Sequence, residues 1–243
     1  LDSLAKIDGC KNIYQDIYLD VRNQSLIWDD KAENFIRDIL NTIKSNQNYT
    51  FNGENMRLII TRHGETEENK KGIIQGHLPG KLTELGIMQA KKLALRLKRE
   101  KIDAIYSSDL ARASDTAKEI AKFHPNAEIF FVSELREKNQ GSLSGKLIKE
   151  IDWNKPRDSE KKEAMFERAK IILEKVYKDY KGKTVLFVAH GGIIRILMAL
   201  LLDKSLEEVK KMDDYGNTAI SIFIIKKNKK NEVILINSNE HLN

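Results

Sequence analysis

Residues 57–66 read Arg-Leu-Ile-Ile-Thr-Arg-His-Gly-Glu-Thr, and residues 185–192 read Val-Leu-Phe-Val-Ala-His-Gly-Gly. Each begins as a short apolar run and stops abruptly at His-Gly. A run of three to five apolar residues (Leu58–Ile60, Val185–Ala189) is too short for a buried helix, and it suits a strand covered on both faces, as in a parallel sheet. Between and around these two runs the period alternates. A helical stripe (Ile87, Ala90, Leu93, Ala94, Leu97) covers 83–98, with Thr83 placed to cap it. A strand is expected at 102–106, then a helix at 109–121 with Ala113, Ala117, Ile120 and Ala121 inward, then a strand at 129–132. A long helix at 159–180 precedes the run at 185–189, and a helix at 193–202 follows it. Strands at 219–225 and 232–237 flank a polar turn and suit an antiparallel pair. Alternating strands and helices predict a three-layer α/β/α sandwich with a mostly parallel central sheet.

In such a sheet ligands bind beyond the carboxyl ends of the strands. His63 and His190 both leave their strands at that edge, and each precedes a glycine, which lets backbone approach a ligand closely. The strand at 102–106 ends in Ser107-Ser108-Asp109 and opens a helix with Arg112 in its first turn, where free N–H groups and the helix dipole attract anions. Arg62 lies beside His63. Two imidazoles with two guanidiniums suit a tetrahedral dianion rather than a metal: arginines repel cations, while their forked donors match phosphate. Leu135-Arg136-Glu137 follows the strand at 129–132, and Glu137 is the best candidate for a proton donor.

This ordered set resembles the histidine phosphatase superfamily, the phosphoglycerate mutase-like proteins, over about residues 57–225. The matching motifs are Arg62-His63-Gly64-Glu65-Thr66 with Asn69; Gln75-Gly76; Leu82-Thr83 with Gly86, Gln89 and Ala90; Ser107-Ser108-Asp109-Leu110 with Arg112, Ala113, Thr116 and Ala117; Leu135-Arg136-Glu137 with Gly141 and Gly145; and His190-Gly191. The resemblance implies that His63 is a nucleophile forming phosphohistidine. It implies that Arg62, Arg112 and His190 hold the phosphoryl oxygens, and that Glu137 protonates the leaving oxygen and then activates water. It further implies substrate contacts from Asn69, Gln75, Gly76 and the Gly191 N–H, with no metal or other cofactor. Leu143 stands where the family often has an aromatic residue, and 156–160 keeps only a remnant (Pro-Arg-Asp-Ser-Glu) of a family segment. The span from Glu137 to His190 is short. The resemblance implies that mutase members carry a longer insertion that covers the pocket and excludes water, so a short span favours phosphatase over mutase.

Composition narrows the remaining classes. With 41% hydrophobic residues, 32% charged and three prolines in 243, the chain reads as an ordinary globular protein. One cysteine, Cys10, excludes an internal disulfide and Cys-rich zinc sites, and it fits a reducing, cytoplasmic setting. No apolar run is long enough for a membrane span, and no signal pattern opens the chain, which starts at Leu1 and reads as processed or cut. Residues 1–55 hold six basic and nine acidic residues and so carry −3; with a net charge of +6 for the chain, the rest carries +9. A basic body suits a small anionic phosphorylated substrate. Apart from Lys226–Lys230 (Lys-Lys-Asn-Lys-Lys), the lysines are scattered rather than interleaved with aromatics, so nucleic acid is not the expected partner. Residues 1–55, with an amphipathic helix at 30–45 and a polar linker at 45–55, read as an N-terminal extension or the tail of an upstream domain, and 56–243 as the main domain. An upstream domain or a homo-oligomer is a possible partner.

Blander readings stand beside these. Either histidine alone reads as a satisfied core residue; Arg136 reads as a salt-bridge residue, His77 as surface loop, His124 and His241 as structural or exposed. Three rival motifs fail. The 182–184 Gly-Lys-Thr lacks the upstream glycine of a P-loop, 141–145 has Leu143 where a nucleophile elbow needs serine, and His63-x-Glu65 lacks the cysteines of a zinc deaminase. The expected function is phosphomonoester hydrolysis through phosphohistidine on α-ribazole 5′-phosphate, fructose 2,6-bisphosphate or a phosphoglycerate-like compound. The alternatives are a phosphoglycerate mutase and, in another class, a phospho-ligand-sensing regulatory domain.

Overall fold

A computed structural model describes residues 53–243 except 210, 228 and 229. The helix expected at 30–45 and nearly all of the 45–55 linker lie outside these residues. The strands are β1 (Met56–Arg62), β2 (Ala104–Ser108), β3 (Glu128–Val132), β4 (Thr184–Ala189), β5 (Ile220–Ile225) and β6 (Glu232–Ser238), in one sheet of order β3-β2-β4-β1-β5-β6. Pairs β1–β4, β2–β4 and β2–β3 are parallel, whereas β5 is antiparallel to both β1 and β6. The two His-Gly strands, β1 and β4, are therefore neighbours at the centre, with Arg62 opposite Ala189.

The principal helices are α1 (Glu67–Lys71), α2 (Glu84–Leu97), α3 (Ala111–Ala121), α4 (Lys162–Asp179), α5 (Gly191–Leu201) and α6 (Leu206–Val209). Side chains alternate across the sheet. Met56, Leu58, Ile60, Val185 and Phe187 pack with Met165, Ala169, Ile172 and Val176 of α4 and with Ile193, Ile194 and Leu197 of α5. Ile59, Ile105, Leu186 and Val188 pack on the other face with Leu93, Ala94 and Leu97 of α2 and Ala113, Ala117 and Ile120 of α3. These are the three layers expected from sequence. Arg57 points into the second face and meets Glu100 at 2.9 Å, both side chains nearly buried. The described residues form one compact unit by themselves, and no helix among them is long and apolar enough to cross a membrane.

Several boundaries differ from the expectation for local reasons. β2 starts at Ala104 rather than 102, because the Asp103 carboxylate takes the Thr184 N–H at 2.8 Å. α3 starts at Ala111, since the Ser108 hydroxyl accepts from the Leu110 N–H just before it. α4 starts at Lys162 rather than 159: Asp158 binds the Ser142 N–H and hydroxyl, and the Glu160 N–H donates to Asn139. On α2 the expected Ile87 is 41% exposed, and buried Gly86 takes its place in the stripe.

Candidate active site

The β1–β4 ladder extends one step past the strands, with the His63 N–H donating to the Ala189 carbonyl at 3.0 Å. This holds the two histidines side by side, ring centroids 5.1 Å apart and both rings buried. Each ring is oriented by one hydrogen bond. His63 Nδ1 lies 2.7 Å from the Gly64 carbonyl. A carbonyl only accepts, so Nδ1 carries the proton and Nε2 keeps its lone pair. His190 Nδ1 lies 3.1 Å from Arg112 Nε, which only donates, so His190 carries its proton on Nε2. That Nε2 is buried without a protein partner. Burial is the main force pushing both rings well below the ordinary imidazole range. The Arg62 and Arg112 charges add to it, and at His63 the Gly64 bond opposes it in part. Both rings are neutral near pH 7.

The guanidiniums are held differently. Arg112 Nη1 donates to Leu78 at 2.6 Å and Nη2 to Gly76 at 2.9 Å, so it fastens the loop at 76–79 as well as His190. Burial brings it down to about 10. Arg62 Nη1 donates to the Tyr215 carbonyl at 2.6 Å, while its Nε is buried without a protein partner. Burial lowers it too, against the opposing charges of Glu137 and Asp214. Gly191 opens α5 beside Arg62: a Cβ built there lies 3.8 Å from the guanidinium carbon.

Glu137 accepts at both oxygens, from the Lys138 N–H at 2.8 Å and from the Gly192 N–H at 3.0 Å in the first turn of α5. The helix N-terminus is a natural seat for a carboxylate. A Cβ at Gly192 would collide with Glu137 Oε1 and push that carboxylate from its seat. The structure thus brings His63, His190, Arg62, Arg112 and Glu137 to one sheet edge. Gly76 contributes a carbonyl to Arg112, and Gln75 is buried with its Oε1 unpartnered. Asn69 uses its Oδ1 on the Thr66 N–H in the capping box of α1. Arg136 forms a two-pronged ion pair with Asp109, as expected of a salt-bridge residue. Among the described residues, no group of three or more His, Cys, Asp or Glu is placed to hold a metal.

Sequence reasoning missed several supports. Asn217 Nδ2 donates to the His63 carbonyl at 3.0 Å. Thr218 donates its N–H to the Arg62 carbonyl and adopts φ of 56°, a costly conformation for a β-branched residue, next to the site it braces. Thr116, which the motif included without a role, accepts from the Gly64 N–H and donates to the Arg112 carbonyl. His77, read as surface loop, lies 2.8 Å from the Glu137 carbonyl. Arg168 of α4 donates to the Glu134 and Arg136 carbonyls at 2.7 Å. Nothing in the sequence marked Asn217 or Thr218, because both act through backbone that only the fold brings near.

Residues 58–238 match the family model of the histidine phosphatase superfamily (branch 1). The chain belongs to that family. It is 38% identical over 157 residues to the metal-independent phosphoserine phosphatase of Arabidopsis thaliana, covering 58% of this chain and 66% of that protein. It is 34% identical over 195 residues to phosphoserine phosphatase 1 of Hydrogenobacter thermophilus, covering 74% and 90%. The structure of phosphoserine phosphatase from Entamoeba histolytica in complex with 3-phosphoglyceric acid superposes with a TM-score of 0.67 at 32% identity, covering 77% of this chain and 99% of that one.

Proposed function

We propose that this phosphatase of small phosphorylated metabolites works by double displacement at His63. The Nε2 lone pair of His63 attacks phosphorus as the bond to the leaving oxygen breaks, and Glu137 gives that oxygen its proton. Glu137 then takes a proton from water as the water oxygen attacks the phosphohistidine, releasing inorganic phosphate and the free ring. Arg62, Arg112, the His190 Nε2–H and the Gly191 N–H stabilise the equatorial oxygens, and Asn69, Gln75 and Gly76 line the substrate side. One observation carries the reading. The bonds that orient the two rings leave a lone pair on one Nε2 and a proton on the other, a nucleophile beside a donor.

Residues 56–243 form the catalytic domain in this proposal, and the acidic 1–55 an extension or upstream tail. A cytoplasmic setting is supported by the single cysteine. The substrate class is a small anionic phosphomonoester. Phosphoserine, the substrate named for both curated relatives, joins α-ribazole 5′-phosphate, fructose 2,6-bisphosphate and phosphoglycerate as candidates.

The test is release of inorganic phosphate from p-nitrophenyl phosphate and this panel, with EDTA present. Wild type turns over and His63→Ala does not. Retained activity in His63→Ala, or a strict need for added divalent metal, overturns the mechanism. Interconversion of phosphoglycerates without phosphate release selects the mutase, and phosphate binding without turnover selects the sensor.

A further inference from the structure

Arg168 sits on α4, away from the strand ends that supply the other groups, yet it reaches the segment carrying Glu137 from behind. Its Nη1 donates to the carbonyls of Glu134 and Arg136, both at 2.7 Å, and its Nη2 to that of Glu137 at 3.3 Å. Three carbonyls within four residues converge on one guanidinium. His77 Nε2 meets the Glu137 carbonyl from another side at 2.8 Å.

The other edge of Arg168 pairs with Glu160, Nε to Oε1 at 2.8 Å and Nη2 to Oε2 at 3.1 Å, each side chain 17% exposed. Glu160 in turn accepts from the Asn139 N–H at 3.0 Å and donates its own N–H back to the Asn139 carbonyl at 2.7 Å. Residues 134–139 are therefore clamped on both sides of Glu137. Fixing the carbonyls of 136 and 137 fixes the peptide planes around that residue, and with them the direction of its Cα–Cβ bond. The carboxylate is then sent to the Gly192 N–H.

We infer that Arg168, braced by Glu160, is a positioning residue that aims the Glu137 carboxyl at the leaving oxygen. The inference rests on the role proposed for Glu137. A forked guanidinium is required, because a lysine ammonium is a point charge that cannot hold three carbonyls and a carboxylate in fixed directions.

The experiment compares kcat/KM on two probes of nearly the same shape. p-Nitrophenyl phosphate releases a stable anion that needs little protonation, while phenyl phosphate releases a basic phenolate that needs the acid. Since kcat/KM stops at the first irreversible step, later hydrolysis of phosphohistidine does not blur the comparison. For Arg168→Ala and Arg168→Lys, phenyl phosphate should lose about 10- to 100-fold, the scale of a catalytic group misplaced by about an ångström. p-Nitrophenyl phosphate should lose less than about threefold. Glu160→Gln should shift the ratio the same way by a smaller factor, and it provides the reading if the Arg168 variants do not fold. In Glu137→Gln the ratio is already shifted, and adding Arg168→Ala should change it little.

An equal loss on both probes marks a structural role and overturns the inference, as does full recovery in Arg168→Lys, which would make charge sufficient. These outcomes leave the phosphohistidine mechanism standing. That mechanism fails instead if wild type hydrolyses neither probe or His63→Ala hydrolyses both.

Discussion

His63 shows how one residue's environment sets both its chemistry and its contribution to stability. Desolvation disfavours imidazolium, and the neighbouring guanidiniums disfavour it further. The folded-state pKa of His63 and of His190 is thus well below the value near 6.5 that each ring regains on unfolding. Above pH 6.5 both states are neutral at these positions and the shift has no effect on stability. As pH falls below 6.5 the unfolded chain takes up protons that the folded chain refuses, so stability is lost. The slope approaches about 1.4 kcal/mol per pH unit for each such ring. His124 and His241 are also lowered, but equally in any variant that leaves them alone. Urea melts at pH 7, 6 and 5 should show His63→Gln losing stability more gently than wild type, by about 1 kcal/mol per pH unit. Parallel curves would mean that the His63 ring protonates as readily folded as unfolded.

At the scale of elements, α2 carries a second test. Gly86 lies in its first turn, where alanine would ordinarily gain about 1 kcal/mol in helix propensity. Here a Cβ would collide with the Glu65 carbonyl, and a Cβ at Gly64 would collide with the Gly86 carbonyl. Backbone meets backbone, and neither side can swing away like a side-chain tip. Overpacking of this kind costs about 1–3 kcal/mol, so the overlap outweighs the propensity gain. Gly86→Ala should lower the urea midpoint and also reduce activity, because the displaced loop carries His63. A higher midpoint would show that α2 and the end of β1 approach less closely than the structure has them.

The same elements explain what could be read in advance. The central strands were legible because β1 and β4 are buried on both faces, so that Val185–Ala189 of β4 is an unbroken apolar run and Leu58–Ile60 of β1 a shorter one. The site's charged groups were legible because each leaves a strand or opens a helix at one predictable edge. Ile87 was misjudged because periodicity marks a stripe but not the close approach that only Gly86 permits. The short α1, set by the capping box of Thr66 and Asn69, has too few residues to show a period. Arg168 and Asn217 act on carbonyls, and a carbonyl has no residue identity to read.

For the whole molecule the question is where an anion acts. Outside residues 1–55 the chain carries +9, spread over many lysines, and this surface attracts phosphate weakly everywhere. The site differs: two guanidiniums are lowered by burial, and Arg62 Nε and His190 Nε2 are buried without protein partners. A dianion seated there binds only the folded chain. At about 100 times its Kd it should stabilise by about 2.7 kcal/mol. For a domain of this size that corresponds to roughly 5–11 °C in melting temperature. Scanning calorimetry in phosphate, against chloride matched in ionic strength, should show that rise in wild type. In Arg62→Ala it should shrink to below about 2 °C, since the donor edge facing the anion is gone while every surface lysine remains. If Arg62→Ala keeps the full rise, phosphate stabilises the protein through its general basic surface, and the convergence of His63, His190 and the two arginines is not an anion site.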